Sequence, residues 1–413
     1  MGSHLFLLGD QLSRERLSWI GDTLRIFFVN RAPGSFLKSP DGDGAAISFF
    51  MTGDALYSLQ GRESRSLWES ILSLPSVRIT VDRDELELRG LSVDSLKVKF
   101  PGQVHDQNGR RISHPRSFWR GLVLAARRNM PGSTFLGFLL LKSPYMHRGP
   151  GQALSCLHGV LEEGLPGDLY LYLDGIHAGH LNQLPSECRN IGRGLEELDR
   201  IARKRGLPLQ VLACERCAAA RGYSTWDDGR GISVSACTIG PMKIRNLNAM
   251  VGRFSSPGIL LGESAALVSL QREGRPAMDV WLEGEGDAPP VLILITRNPY
   301  GTEHAFGALS LAIACAHRNI VTRVVFLEDG VHALAGNHAT DPEDLVFNLQ
   351  DIIDAADGPD LLLYAFGPSL QSRGLEKNPR FSTVFDIGLK EMEEILFSLP
   401  KGVRADHQRI LFF

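Results

Sequence analysis

Two cysteines three residues apart, Cys214 and Cys217, are the residues of this sequence best placed to do chemistry. Cys214 follows the apolar run Leu209 to Ala213, and Cys217-Ala218-Ala219-Ala220-Arg221 reads as the first turns of a helix. In an open parallel sheet, ligands and reactions gather at the carboxyl ends of strands. A thiol there faces a helix amino terminus, whose unpaired N–H groups and dipole favour an anion. Arg216 and Arg221 add positive charge, so the thiol is expected to ionise readily to the nucleophilic thiolate. The plainer alternative is a small buried hydrophobe, common for a free cysteine. The strand end, the charged neighbours and the second thiol favour the reactive reading. Cys217 is either a resolving thiol or a residue packed in the helix. With no second C-x-x-C, structural zinc has little support.

Other candidates are weaker. Cys156 and Cys315 fall in apolar helical patterns and are expected in the core, while Cys188 and Cys237 lie in less regular sequence. Cys237, 20 residues beyond Cys217, has room to fold back toward it. His177-Ala178-Gly179-His180 suggests metal ligation, but only His177 recurs, as His332, which favours a loop closing over the strand ends. Asp174 and Asp329 follow strand ends and are suited to orienting an arginine or backbone groups. His147-Arg148-Gly149-Pro150-Gly151 precedes a helix where an anion can bind, yet it matches neither G-x-G-x-x-G nor the P-loop. Ile191-Gly192-Arg193-Gly194 is a fainter glycine signal of the same kind. No metal and no cofactor is expected.

The elements that must position these residues come in repeats. Lys142-Ser143-Pro144-Tyr145 and Asp174-Gly175-Ile176-His177-Ala178 reappear 155 residues on as Arg297-Asn298-Pro299-Tyr300 and Asp329-Gly330-Val331-His332-Ala333. Each landmark ends a short apolar run suited to a strand buried on both faces. Helix-length segments separate them: Ala153 to Glu163, Leu195 to Arg205, Glu303 to Arg318 and Pro342 to Ala356. Such alternation predicts parallel sheets covered by helices. Arg221-Gly222 and Arg373-Gly374 follow the third run of each repeat, and the amino-terminal third echoes the pattern with Thr52-Gly53-Asp54 and Arg89-Gly90. Its first strand is either Leu5 to Leu8 or Leu24 to Val29. Boundaries are expected near Pro131 to Thr134 and in Gln271 to Pro290, where Met278 to Leu282 has the makings of an extra strand.

Composition sets the outer limits. Of 413 residues, 43 % are hydrophobic and 22 % charged, enough for a sizeable core. A net charge of −3 leaves no footprint for nucleic acid, so no direct DNA binding is expected. No apolar run suits a membrane span, the amino terminus turns acidic too soon for a signal peptide, and six cysteines without a framework fit a reducing cytoplasm.

Cys214-Glu215-Arg216-Cys217-Ala218-Ala219-Ala220-Arg221-Gly222 resembles the segment that carries the active cysteine in the DsrE family of sulfur-transfer proteins, which includes TusB, TusC, TusD and DsrE, DsrF, DsrH. The stretch Thr238 to Met242 leading into Leu247 to Val251 is similar to that family's closing strand and helix. Gly367-Pro368-Ser369-Leu370-Gln371-Ser372-Arg373-Gly374 resembles the DsrF or TusC type, with Phe366 where cysteine would stand; in the first third the corresponding residue is Asp82. The resemblance implies an α/β chain of three tandem DsrE-like (flavodoxin- or Rossmann-like) parallel-sheet domains forming a pseudo-trimer. A degenerate TusB-like domain would span 1–132, a TusD-like domain with the cysteine 133–272, and a degenerate TusC-like domain 287–413. It further implies a sulfurtransferase in which Cys214 takes sulfane sulfur from an upstream persulfide donor protein and hands it to a downstream acceptor. Cys217 would share the site, and Arg216, Arg221, Gly222, Asp174 and His177 would support it. A homodimer is a further partner suggested by the apolar outer surfaces. Two other readings stand beside it: a non-catalytic scaffold or sensor binding a partner or an anion, and a Cys214/Cys217 dithiol oxidoreductase.

Overall fold

Short apolar runs become the strands. The computed structural model describes residues 4–30, 46–101, 112–115, 117–227, 232–269, 287–340, 347–356, 358–400 and 402–413. In the first third the strands are β1 (His4–Leu8), β2 (Ile47–Met51), β3 (Val77–Val81) and β4 (Ile112–Ser113). The middle third supplies β5 (Leu136–Leu140), β6 (Gly167–Leu171), β7 (Leu209–Cys214), the hairpin β8 (Ser224–Asp227) and β9 (Ile232–Ser235), then β10 (Met242–Arg245), β11 (Ile259–Gly262) and β12 (Ala265–Ser269). The last third adds β13 (Val291–Ile295), β14 (Thr322–Phe326), β15 (Leu361–Phe366), β16 (Phe385–Ile387) and β17 (His407–Phe412). Every residue of β1, β5, β6, β13, β14 and β17 is buried, as expected where helices cover both faces of a parallel sheet.

One strand order recurs. The middle sheet runs β10-β7-β6-β5-β11, all parallel, and the last third runs β16-β15-β14-β13-β17 in the same way. The first third runs β4-β3-β2-β1, and β12 completes it antiparallel to β1. Because β12 also pairs antiparallel with β17, the first and last thirds share a single ten-stranded sheet. No periodicity in the sequence announces this. Ala265–Ser269 follows β11 after two residues and reads as part of the middle third, yet its ladder is with β1 and β17.

The Asp-Gly landmarks have a steric cause. A Cβ on Gly175 would lie 2.1 Å from the Leu140 carbonyl oxygen, and one on Gly330 would lie 2.0 Å from that of Ile295. The turn after the second strand presses on the end of the first, and only glycine permits the approach. The residue two positions earlier takes a left-handed conformation in all three thirds: Gly53 (φ 55°), Leu173 (φ 51°) and Glu328 (φ 52°).

The first strand is His4–Leu8; Leu24 to Val29 lies inside the helix Arg14–Val29, whose buried face includes Leu17, Ile20, Leu24 and Phe27. The other expected helices form as Gly149–Glu162, Ile191–Arg205, His304–Ala316 and, within the expected 342–356, Leu349–Ala355, with 342–346 outside the described residues. The expected strand Met278 to Leu282 lies outside the described residues. Among the described residues no helix is long and apolar enough to cross a membrane.

Candidate functional site

Strand β7 ends on Cys214, and the chain turns at once into the helix Glu215–Ala220, so the thiol-bearing residue is the helix N-cap. Cys214 is 2 % exposed and Cys217 7 %, and both are reduced. The Cys217 thiol and the first-turn backbone N–H groups of Arg216 and Cys217 lie near the Cys214 sulfur, though the Cys214 side chain closes no capping hydrogen bond. These donors outweigh burial and, with the Arg216 charge, lower the Cys214 thiol from its ordinary value near 9 to about 7. Cys217 moves the other way: its hydrogen bond to Cys214 and its burial push its own thiol far up. The two thiols are therefore coupled, and the first ionisation of the pair favours charge on Cys214.

Cys217 has a second contact, which accounts for its place in the fold. Its sulfur accepts the backbone N–H of Leu173 at 3.3 Å. In the last third, Ser369 stands three residues beyond the N-cap Phe366, and its hydroxyl accepts the N–H of Glu328 at 2.9 Å. The same corner is tied in the same way with or without a cysteine. Asp82 is the matching N-cap in the first third, its carboxylate accepting from Thr52 Oγ1 and the Glu85 N–H. The three positions matched by counting back from each Arg-Gly pair are thus the same N-cap, and only one carries sulfur.

Arg221, expected to support the thiolate, is engaged by acidic side chains at the rim while its charge still acts on Cys217. Its Nε and Nη2 donate to Asp174 Oδ1 at 2.9 and 2.7 Å, and Nη2 also meets Glu303 Oε2 at 2.7 Å. The pair recurs in the thirds without cysteine, as Arg89 Nη2 to Asp54 at 2.8 Å and Arg373 Nη2 to Asp329 at 2.7 Å. It is a clamp between the helix end and the strand-end turn, and Asp174 orients an arginine, one of the roles expected of it. Gly222 (φ 74°) ends the helix in the left-handed conformation, with the Tyr223 N–H returning to the Ala218 carbonyl at 2.8 Å, so its role is a helix stop. His177 Nδ1 bonds the Tyr223 hydroxyl at 2.8 Å, which ties its turn to the segment after the helix. His180 Nδ1 accepts the Asn182 N–H, and no group of three or more metal-ligating side chains occurs among the described residues.

Arg216 is exposed, with its guanidinium over two phenylalanine rings from the last third, 5.0 Å from Phe306 and 5.8 Å from Phe347. Neither ring carried any signal in the sequence, since they sit 90 and more residues from the cysteine. Cys156 and Cys315 are fully buried, their thiols pushed up to about 12 by burial. Cys188 and Cys237 are exposed, and Cys237 lies toward Tyr223. At the helix start a Cβ on Gly149 would lie 2.4 Å from Glu263 Oε1, and the same oxygen accepts the Lys142 N–H at 3.2 Å, so an internal carboxylate packs against that glycine.

The three clamps also join the thirds to one another. Arg221 of the middle third reaches Glu303 of the last, and Arg373 of the last reaches Glu15 of the first at 2.8 Å. In the first third, Glu85 holds Arg89 and also Arg148 of the middle third, the latter at 3.1 Å. The contacts close a ring.

What the fold and the site define together is an α/β protein with parallel sheets and a buried cysteine pair at a strand end. Residues 290–398 match the model of the DsrE/DsrF-like family, a stretch whose matching N-cap is Phe366. No curated protein matches the chain.

Proposed function

We propose that this protein traffics sulfur, with Cys214 accepting sulfane sulfur as a persulfide and passing it to a protein or small-thiol acceptor. The single observation that carries the reading is the buried Cys214 sulfur at the N-cap between β7 and the next helix, with the Cys217 thiol and the first-turn N–H groups close by and its own thiol lowered to about 7. A thiolate in that range attacks well near neutral pH and also leaves well in the next exchange. The Cys214 thiolate attacks the outer sulfur of a donor persulfide, the S–S bond breaks, and the donor departs as thiolate, leaving the outer sulfur on Cys214 as Cys–S–SH. An acceptor thiolate repeats the exchange and releases Cys214. No net oxidation occurs, and no metal or cofactor takes part.

The partners are an upstream donor protein and a downstream acceptor, with the reducing cytoplasm as the setting and a homodimer as the assembly. The recurring strand order and the closed ring of clamps support three fused DsrE-like units in a pseudo-trimer, with Asp82 and Phe366 marking the two that cannot carry sulfur. The contact between Cys214 and Cys217 favours a second reading, dithiol oxidation. Incubation with a persulfide donor followed by peptide mass spectrometry tests both. A gain of one sulfur on Cys214 that Cys214→Ser abolishes and an added thiol removes is the expected result. A Cys214–Cys217 disulfide with no added sulfur would transfer the case to redox chemistry, and an inert Cys214 would leave a scaffold.

A further inference from the structure

Arg216 contributes to the Cys214 sulfur twice, through its backbone N–H and through its charge, yet its side chain is anchored elsewhere. The guanidinium rests on Phe306, in the helix His304–Ala316, and on Phe347, whose rings stack 5.1 Å apart at 14°. Both rings belong to the last third, packed against the other sheet, and Phe347 is 60 % exposed. An exposed ring adds little to a core, so its contact with a cation is the interaction to explain.

The sister boundary between the first and middle thirds supplies a comparison. The 155-residue offset that relates Lys142 to Arg297 and the helix start Gly149 to His304 places Gly151 where Phe306 stands. Two residues beyond the N-cap Asp82, Asp84 takes the place of Arg216. Neither of those two positions carries a ring or a guanidinium, and a cavity of about 480 Å³ opens there, lined by Asp82, Asp84 and Gly151 together with Trp119 and Arg148 among others. At the corresponding place in the last third the residue is Pro368. Among the described residues the ring pair and the arginine meet only beside the sulfur.

We propose that Phe306 and Phe347 are positioning residues for the Cys214 thiol, acting through Arg216: the rings fix the guanidinium, and so the first turn whose N–H groups face the sulfur. The inference rests on Cys214 being the reactive thiol and adds that a third of the chain without its own cysteine completes the site. The charged and titratable groups around the sulfur are Cys217 and Arg216 on its helix, Tyr172 beside β6, Arg245 as its ladder partner on β10, and the Arg221–Asp174–Glu303 clamp at the rim. None of these is removed by changing the rings.

The test is the pH profile of iodoacetamide alkylation at Cys214, resolved by peptide mass spectrometry from the exposed Cys188 and Cys237. A cation on an exposed ring contributes modestly, so Phe347→Ala should raise the midpoint by about half a pH unit and slow alkylation at neutral pH about threefold. Phe347→Tyr should restore both, and in an Arg216→Gln background Phe347→Ala should change nothing further. Phe306→Leu, which keeps the packing volume, should act in the same direction. An unchanged midpoint in folded Phe347→Ala, or effects that add fully with Arg216→Gln, would overturn the proposal. If Cys214 alkylates with the expected profile but never gains sulfur from a donor, the sulfur-carrier reading falls and the positioning result stands.

Discussion

A sulfur at an N-cap gives up its proton easily because the charge it gains is met by groups already aimed at it. Three polar groups lie near the Cys214 sulfur, and the one that is a side chain, Cys217, is itself held by the Leu173 N–H. Removing the Cys217 sulfur therefore acts on the site and on the turn together. Cys217→Ala should move the Cys214 midpoint from about 7 back toward its ordinary value, whereas Cys217→Ser, which copies Ser369, should keep the turn and part of the shift. The sign for stability follows from linkage. The folded thiol titrates below the unfolded one, so the folded state binds fewer protons between about 7 and 9, and stability rises with pH across that window. The contribution, roughly 3 kcal/mol at its full extent, is lost as pH falls through 7. Urea unfolding at pH 6.5 and 9, wild type against Cys217→Ala, should show the variant lacking this rise; an equal rise in both would place the shift elsewhere. The place of Cys214 between strand and helix was legible in the sequence because strand, cysteine, small-residue helix and Arg-Gly are local. The role of Arg221 was not, because Asp174 and Glu303 lie 47 and 82 residues away along the chain.

The elements were legible wherever burial on both faces wrote a continuous apolar run, and the repeats of Pro-Tyr and Asp-Gly fixed the order of strands and turns. Tyr145 reaches Gln183 at 2.5 Å and Tyr300 reaches His338 at 2.9 Å, so the Pro-Tyr turn braces the loop after each Asp-Gly turn. What the pattern hides is how one sheet meets the other. Arg409 on β17 is fully buried and donates to the carbonyls of Phe254, Ser256 and Gly258 at 2.6, 2.7 and 3.0 Å, just before β11. Its guanidinium also lies 5.8 Å from the Phe254 ring, and burial lowers it to about 10. An arginine within Gln408-Arg409-Ile410 reads as a surface residue, because nothing local reports three waiting carbonyls. Arg409→Ala would leave the Phe254 carbonyl buried and unpaired and take a donor from those of Ser256 and Gly258, at a cost of roughly 3 kcal/mol. A drop in urea midpoint of that size, against a negligible change for the exposed Arg203→Ala, is the expected measurement; a near-neutral Arg409→Ala would mean that water replaces the guanidinium.

At the scale of the molecule, the residues two positions beyond β1, β5 and β13 converge: Asp10, Lys142 and Arg297. Lys142 bonds Asp10 and lies 3.2 Å from Glu263, and Arg297 Nη2 reaches Asp10 at 3.4 Å. Three equivalent positions carry one anion and two cations, and Glu263, from the link between β11 and β12, brings the second anion. Burial raises the Glu263 carboxyl to about 7, whereas its cationic neighbours hold Asp10 low against the same effect. Such a junction suits only one arrangement of the three thirds, because a like charge at all three places would repel. Taking away one partner leaves its counter-charge buried, which costs about 3–5 kcal/mol, whereas removing both together is far milder. Lys142→Met should therefore destabilise strongly, and adding Asp10→Asn should recover a large part of the loss, since Arg297 and Glu263 can then pair or Glu263 can take up a proton. The measurement is a double-mutant cycle in urea at pH 7.5, and a coupling near zero would mean the two side chains act independently despite their contact. Repeating the cycle at pH 6, where Glu263 is protonated, should shrink the penalty of Lys142→Met, because one of the two anions facing Lys142 has then been neutralised.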